Sequence, residues 1–175
     1  MTVRQTPHWR KSTMARDPAM TGMAGVHHVA SVLLYREIHA AITTGNAPNV
    51  DVLAGLKQGT ATLGIQVKTT EYALRYRGRG EDKRPYEYQF PLGRKYAKVL
   101  IPGLWFAFVD LKRFESLPDA YILNSQEVVS AFEGVEELKL WRFHRSVEEM
   151  ERHRNAWQHI EEELARIDGS QPRER

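Results

Sequence analysis

The chain contains no cysteine in its 175 residues. Disulfide frameworks, zinc–thiolate centres and cysteine nucleophiles are thereby excluded, and a cytoplasmic setting is the expectation. No apolar run approaches the roughly 18 residues that a membrane span needs, so no membrane partner is expected. Gly-x-Ser-x-Gly is absent, which removes the serine-hydrolase elbow. The glycines at 78 and 80 lack the strand-to-helix context of a dinucleotide fingerprint. Excess charge is scarce too. Lys and Arg number 25 against 22 Asp and Glu, a formal +3, so any case for nucleic acid must rest on where the cations lie.

What is present is enough for a core. With 42% hydrophobic residues, the length suits one compact domain. Residues 1–21, with Arg4, Arg10, Lys11 and Arg16 and no apolar h-region, read as a flexible basic arm rather than a secretory signal. Residues 22–167 read as a single α/β domain, and 168–175 as a polar tail.

The most informative stretch runs from Val50 to Lys68. Two short apolar segments flank the turn Lys57-Gln58-Gly59-Thr60, the pattern of an antiparallel hairpin. Asp51 starts the first strand, while Gln66 and Lys68, two positions apart, share one side of the end of the second. A carboxylate, an amide oxygen and an ammonium therefore converge. That set suits a divalent ion beside a phosphate: Asp51, Gln66 and the carbonyl of Val67 as oxygen ligands for Mg²⁺ or Mn²⁺, and Lys68 to orient water or steady negative charge. The same spacing also describes a half-buried hairpin whose polar groups face water.

Asp51, then Gln66, then Val67-Lys68 resembles the PD-(D/E)xK nuclease signature, with glutamine where an acid is usual. Gly25 to Leu33 (Gly-Val-His-His-Val-Ala-Ser-Val-Leu) is similar to that family's first helix, which often reads Gly-Glu-x-x-Val-Ala-x-x-Leu. Leu104–Leu111 and Pro118–Ser125 look like later strands of small bacterial members. The resemblance spans Gly25 to Trp157. It implies a restriction-endonuclease-like α/β core, a central mixed β-sheet flanked by helices with a C-terminal helix, and metal-dependent hydrolysis of DNA. A homodimer would let such a small unit cut both strands. It also places Val26 where a metal-binding glutamate is expected. A catalytically impaired DNA-binding or regulatory module therefore stays open, as does an interaction subunit of a defence or mobile-element system.

Other segments complete the picture. Val26, Val29, Ala30, Leu33 and Leu34 recur at helical spacing, giving a helix from Gly25 to about Thr43 that the turn Gly45–Asn49 ends. His27 and His28 lie about 100° apart on such a helix and read as structural. Glu37 shares the face of Val26, but stands too far along the axis to replace the missing acid. Tyr72–Arg77 and Pro85–Phe90 read as a hairpin whose Arg75, Arg77 and Arg79 alternate with tyrosines, suited to phosphate contact and base stacking or simply to a solvated face. Arg94 and Lys95, in a short helix, match a basic pair that the resemblance places near the scissile phosphate. Leu104–Val109 reads as a central strand and Asn124 or Ser125 as the cap of the next helix. Ser146 with Glu149 makes a capping box opening one last helix, with Val147, Met150, Trp157, Ile160, Leu164 and Ile167 as its stripe. His153 and His159, six apart, do not share a face well enough for a metal pair.

Overall fold

The computed structural model describes residues 16–44, 49–98, 100–135 and 142–169. Most of the expected basic arm, residues 45–48 of the expected turn, and most of the polar tail lie outside these.

Helix α1 (Pro18–Tyr35) starts earlier than its apolar pattern suggests, because Asp17 caps it by accepting from the Ala19 amide at 2.8 Å and Pro18 supplies a pre-set first turn. Residues 18–21, expected in the arm, are thus helical. The helix also ends earlier than Thr43. Glu37 takes a left-handed φ of 62°, and the β-branched Ile38 and Ile42 bound a strand, β1 (Ile38–Ile42), in place of the last helical turns. Glu37 therefore lies on no helical face, and Leu34, expected inward, is 55% exposed.

The hairpin forms as expected from β2 (Val52–Leu56) and β3 (Thr62–Thr70), antiparallel, with Val52 opposite Ile65. Strand β3 then pairs in parallel with β6 (Leu104–Asp110), and β6 pairs antiparallel with β7 (Asp119–Asn124). The result is a mixed five-stranded sheet in the order β1-β2-β3-β6-β7. Every residue of β6 is buried, as an apolar strand covered on both faces must be.

The two faces carry different cores. On one, Val29 and Leu33 of α1 and Ile160 and Leu164 of α5 (Gln158–Asp168) pack on Val52, Ile65, Val67 and Ala107. Gly25 lets α1 lie directly on β3, since a Cβ there would stand 1.9 Å from Thr69 Oγ1. On the other face, Phe106, Phe108 and Tyr121 meet Phe90, Phe143 and Met150. Phe90 and Phe143 belong to a second, three-stranded sheet of β4 (Leu74–Arg77), β5 (Arg84–Pro91) and β8 (Arg142–Ser146). This sheet holds the tyrosine–arginine hairpin, which does not continue the main sheet. Short helices α2 (Arg94–Lys98), α3 (Ser125–Ser130) and α4 (Val147–Glu151) complete the layer, α3 capped by Asn124 and α4 by Ser146, each in a capping box.

The C-terminal helix is α5, but the single long helix expected from Ser146 onward is broken. Between α4 and α5, Asn155 turns with φ 50°. Its amide donates to Ala120 O at 2.6 Å, Ile122 N donates to His153 O at 3.0 Å, and its side chain exchanges bonds with Asp119 and the Ala120 amide. The break thus satisfies backbone groups on the edge strand β7, which an unbroken helix would leave open. Trp157 is buried as expected, whereas Ile167 is 44% exposed. Among the described residues no helix is long and apolar enough to cross a membrane.

Candidate active site

Strand β2 stops pairing with β3 at Val52–Ile65, and the Asp51 amide adds one more bond to Ile65 O at 2.9 Å. Past that point β3 runs on beside β6 alone, so the N–H and C=O of Val67, on the same edge as those of Ile65, reach beyond the end of β2. Asp51 fills this space. Its Oδ2 accepts from the Val67 amide at 2.7 Å and from Gln66 Nε2 in a short contact. The alternation that sends Val52 into the helix-side core turns Asp51 to the other face, where Gln66 and Lys68 also point.

Tyr96, on α2, organises that face. Its hydroxyl donates to Gln66 Oε1 at 2.6 Å, and its ring packs edge-on to Phe106, the residue beside Gln66 on β6. Lys68 Nζ lies 4.7 Å from the ring centroid and Lys95 Nζ 4.6 Å, with Lys95 also donating to Asn49 Oδ1 at 2.8 Å. Burial pushes the Lys68 ammonium below the ordinary lysine pKa; the nearby Asp51 carboxylate opposes that shift, and Lys95 adds to it.

Lys68 and Val67 border a cleft of about 690 Å³ between the start of α1, the end of β3 and the β5–α2 connection, with Arg16 and Glu71 paired at 3.5 Å on its wall. Asp51 sits beside this cleft, one bond behind Val67.

The structure therefore brings Asp51, Gln66, Val67, Lys68 and Lys95 together. It does not gather the rest. Arg75 and Arg77 lie on β4 and Arg79 in the hairpin turn, beyond the far end of β5; Arg84 at that end is roughly 23 Å along the strand from Pro91 at the cleft. Arg94 is exposed at the start of α2. Val26 faces neither cleft nor carboxylate, being buried between α1 and the sheet. The α1 residues that border the cleft are Pro18, Thr21 and Gly22, and at Gly22, one turn before Val26, an added Cβ meets open space. His28 is half-buried, and burial holds its ring below the usual histidine pKa against the pull of Asp119.

Sequence reasoning missed Tyr96 and Asn49. The available signal was the adjacency of Tyr96 to the basic pair, since an aromatic beside two cations in a short helix must face either water or the core. Among the described residues no three His, Asp or Glu side chains cluster as a metal site, so any ion here would draw on amide and backbone oxygens as well as Asp51.

No protein-family model matches the sequence, and no curated protein matches it. Among solved structures the chain is similar to a bacterial homing endonuclease, I-Ssp6803I, with a TM-score of 0.56 at 14% identity, over 87% of this chain and 98% of that one. The likeness is one of fold: a mixed α/β core.

Proposed function

We propose that the chain is a PD-(D/E)xK-like, metal-dependent endonuclease acting on DNA phosphodiester bonds. The observation that carries this reading is the convergence of Asp51, Gln66, Val67 and Lys68 at the one place where β3 outruns β2. The fold shared with an endonuclease supports it.

The donor set fits a hard divalent cation such as Mg²⁺ or Mn²⁺. Asp51 supplies the charged oxygen, the Val67 carbonyl a backbone oxygen on the same strand edge, and Gln66 a neutral oxygen once its amide turns over. That turn is allowed chemically because the Tyr96 hydroxyl accepts as well as donates. The bound ion would supply Lewis-acid stabilisation of the phosphate and an acidified water. Lys68, partly desolvated and on the cleft wall, orients that water and steadies the charge that develops on the phosphate. Lys95 meets the phosphate next to it, and a homodimer would present two such sites to the two strands.

A second reading keeps the fold and omits hydrolysis. Two observations favour it: as found, Gln66 donates to Asp51, and α1 presents Pro18, Thr21 and Gly22, none of them an acid, to the cleft. The site would then bind phosphate through Lys68 and Lys95 without metal. Cleavage of plasmid and linear DNA in Mg²⁺, Mn²⁺ and EDTA by wild type, Asp51→Asn and Lys68→Ala separates the two. Metal-dependent cleavage lost in both variants supports the endonuclease. Equal activity in all three proteins, or none with binding intact in EDTA, rejects it.

A further inference from the structure

The second sheet carries a charge pattern that the cleft does not use. On its outward face, Gln89 Oε1 accepts from Arg75 Nε and from Arg142 Nη1, each at 3.0 Å, and Gln89 Nε2 lies 3.2 Å from His144 Nε2. Side chains from three strands thus gather on one neutral amide. Three arginines elsewhere pair with carboxylates: Arg36 with Glu161, Arg154 with Asp119, Arg166 with Glu163. A guanidinium held by an amide keeps its full charge for another partner.

The pattern continues outward. Past the bulge between Arg75 and Tyr76, Tyr76 lies opposite Pro85 and keeps to this face with Lys83 over its ring, whereas Arg77 and Arg84, directly opposite each other and both exposed, lie on the ribbon's other face with Tyr86. Strand β8 pairs with β5 only from Glu87 to Pro91, so the hairpin projects beyond it as a two-stranded ribbon, exposed from Tyr76 to Pro85. β4, β5, their turn and β8 together hold seven Lys and Arg against three acids, Glu81, Asp82 and Glu87, while the whole chain is only +3. Glu87, on the same face, accepts from the Tyr86 hydroxyl and lies 3.5 Å from His144.

The two ends of this face are informative. Pro91 pairs with Arg142 and borders the cleft beside Lys68, so the cationic face begins where the candidate active site ends. Two tyrosines of the ribbon each carry a cation over one ring face, Tyr86 that of Arg77 at 4.9 Å and Tyr76 that of Lys83 at 4.8 Å. Such contacts hold the cations in place for phosphates.

We infer that the outward face of β4, β5 and β8, with its projecting ribbon, is a track for the phosphate backbone of duplex DNA. It leads from the cleft to the hairpin tip, with Gln89 as the hub that sets Arg75 and Arg142. The inference rests on the reading of the cleft as a phosphodiester site. The strand length from Pro91 to Arg84, roughly 23 Å, corresponds to about 7 base pairs on one side of that site.

Fluorescence anisotropy in EDTA, where metal-dependent cleavage does not occur, tests the track apart from the chemistry. Wild type is expected to bind a 20-base-pair duplex about 10-fold more tightly than an 8-base-pair one, with a steep salt dependence. Arg75→Ala/Arg142→Ala/Lys83→Ala should abolish that advantage and flatten the log–log salt slope by about 3. Gln89→Glu separates charge from folding: it keeps an acceptor for both guanidinium groups and sets one negative charge between them, so the long-duplex advantage should fall while the melting temperature holds. An unchanged advantage and slope in both variants overturns the track, whether or not the protein cleaves. Equal loss for a single strand of the same length overturns the duplex assignment. Loss of cleavage in Asp51→Asn with the length dependence intact concerns the cleft alone.

Discussion

Tyr96 donates its phenolic proton to Gln66 and thereby turns the amide nitrogen of Gln66 toward Asp51. A residue on a five-residue helix thus sets which atom of a strand residue faces the carboxylate. Tyr96→Phe keeps the ring beneath Lys68 and Lys95 but leaves the buried Gln66 oxygen without its donor. The expected cost is about 1–3 kcal/mol of stability, read by urea denaturation with an unchanged m-value. A stability change near zero would show that the bond carries no weight.

Gln66→Glu places a second carboxylate against Asp51. Without metal the two repel, so the melting temperature should fall. With Mn²⁺ the added charge should move the metal midpoint of cleavage roughly 10-fold lower, and the metal should restore the lost stability. A midpoint that does not move would place the ion elsewhere.

Lys68 titrates below an ordinary lysine because it is buried and has Lys95 beside it, effects that outweigh the pull of Asp51. Its ammonium therefore loses its proton at lower pH than is usual for a lysine, and since the charged form steadies the phosphate, cleavage in Mg²⁺ should fall with rising pH on a limb that Lys68 sets. Lys68→Arg stays charged throughout and should lose that limb while retaining binding in EDTA. An identical pH profile in the variant would show that Lys68 does not set that limb.

Gly22 is an α1 position on the cleft with open space for a side chain, so Gly22→Glu offers the acid that the buried Val26 cannot. Replacing a helical glycine should also raise stability by up to about 1 kcal/mol. The expected result is a higher melting temperature together with tighter Mn²⁺ binding by calorimetry. Val26→Glu should instead lower stability by several kcal/mol, since it buries a carboxylate in the core. Equal behaviour of the two variants would contradict the assigned geometry.

Asp119 anchors the α4–α5 break, taking Arg154 at 2.6 Å, Lys112 at 2.5 Å and the Asn155 amide at 3.0 Å. Burial raises its carboxyl pKa, but the bonds from Arg154, Lys112 and Asn155 outweigh that and leave it below the ordinary aspartate value. A lowered folded pKa contributes stability that is present above the unfolded value and lost as pH falls through the folded one. Asp119→Asn should cost about 1–3 kcal/mol at neutral pH, less than a fully buried pair because Arg154 is 40% exposed, and the difference from wild type should shrink in acid. A difference that does not depend on pH would refute the assignment to charge.

Much of this protein was legible in the residue order. The alternation in Val50–Lys68 dictated a hairpin with Gln66 and Lys68 on one side, the apolar run at 104–109 a buried strand, and the capping residues Asn124 and Ser146 the starts of two helices. These follow from local periodicity and local hydrogen bonding, which act within a few residues. What only the tertiary structure decided depended on partners far along the chain. β1 is a strand because β2 offers it an edge, and the last helix breaks because β7 needs its edge covered. The hairpin at 74–91 joins a second sheet because Phe90 and Phe143 share a core with Phe108. The candidate site divided in the same way. Asp51, Gln66 and Lys68 were readable because one hairpin carries all three, whereas Tyr96 reaches them across 30 residues and Gly22, not Val26, turns to the cleft only once α1 has settled on Thr69.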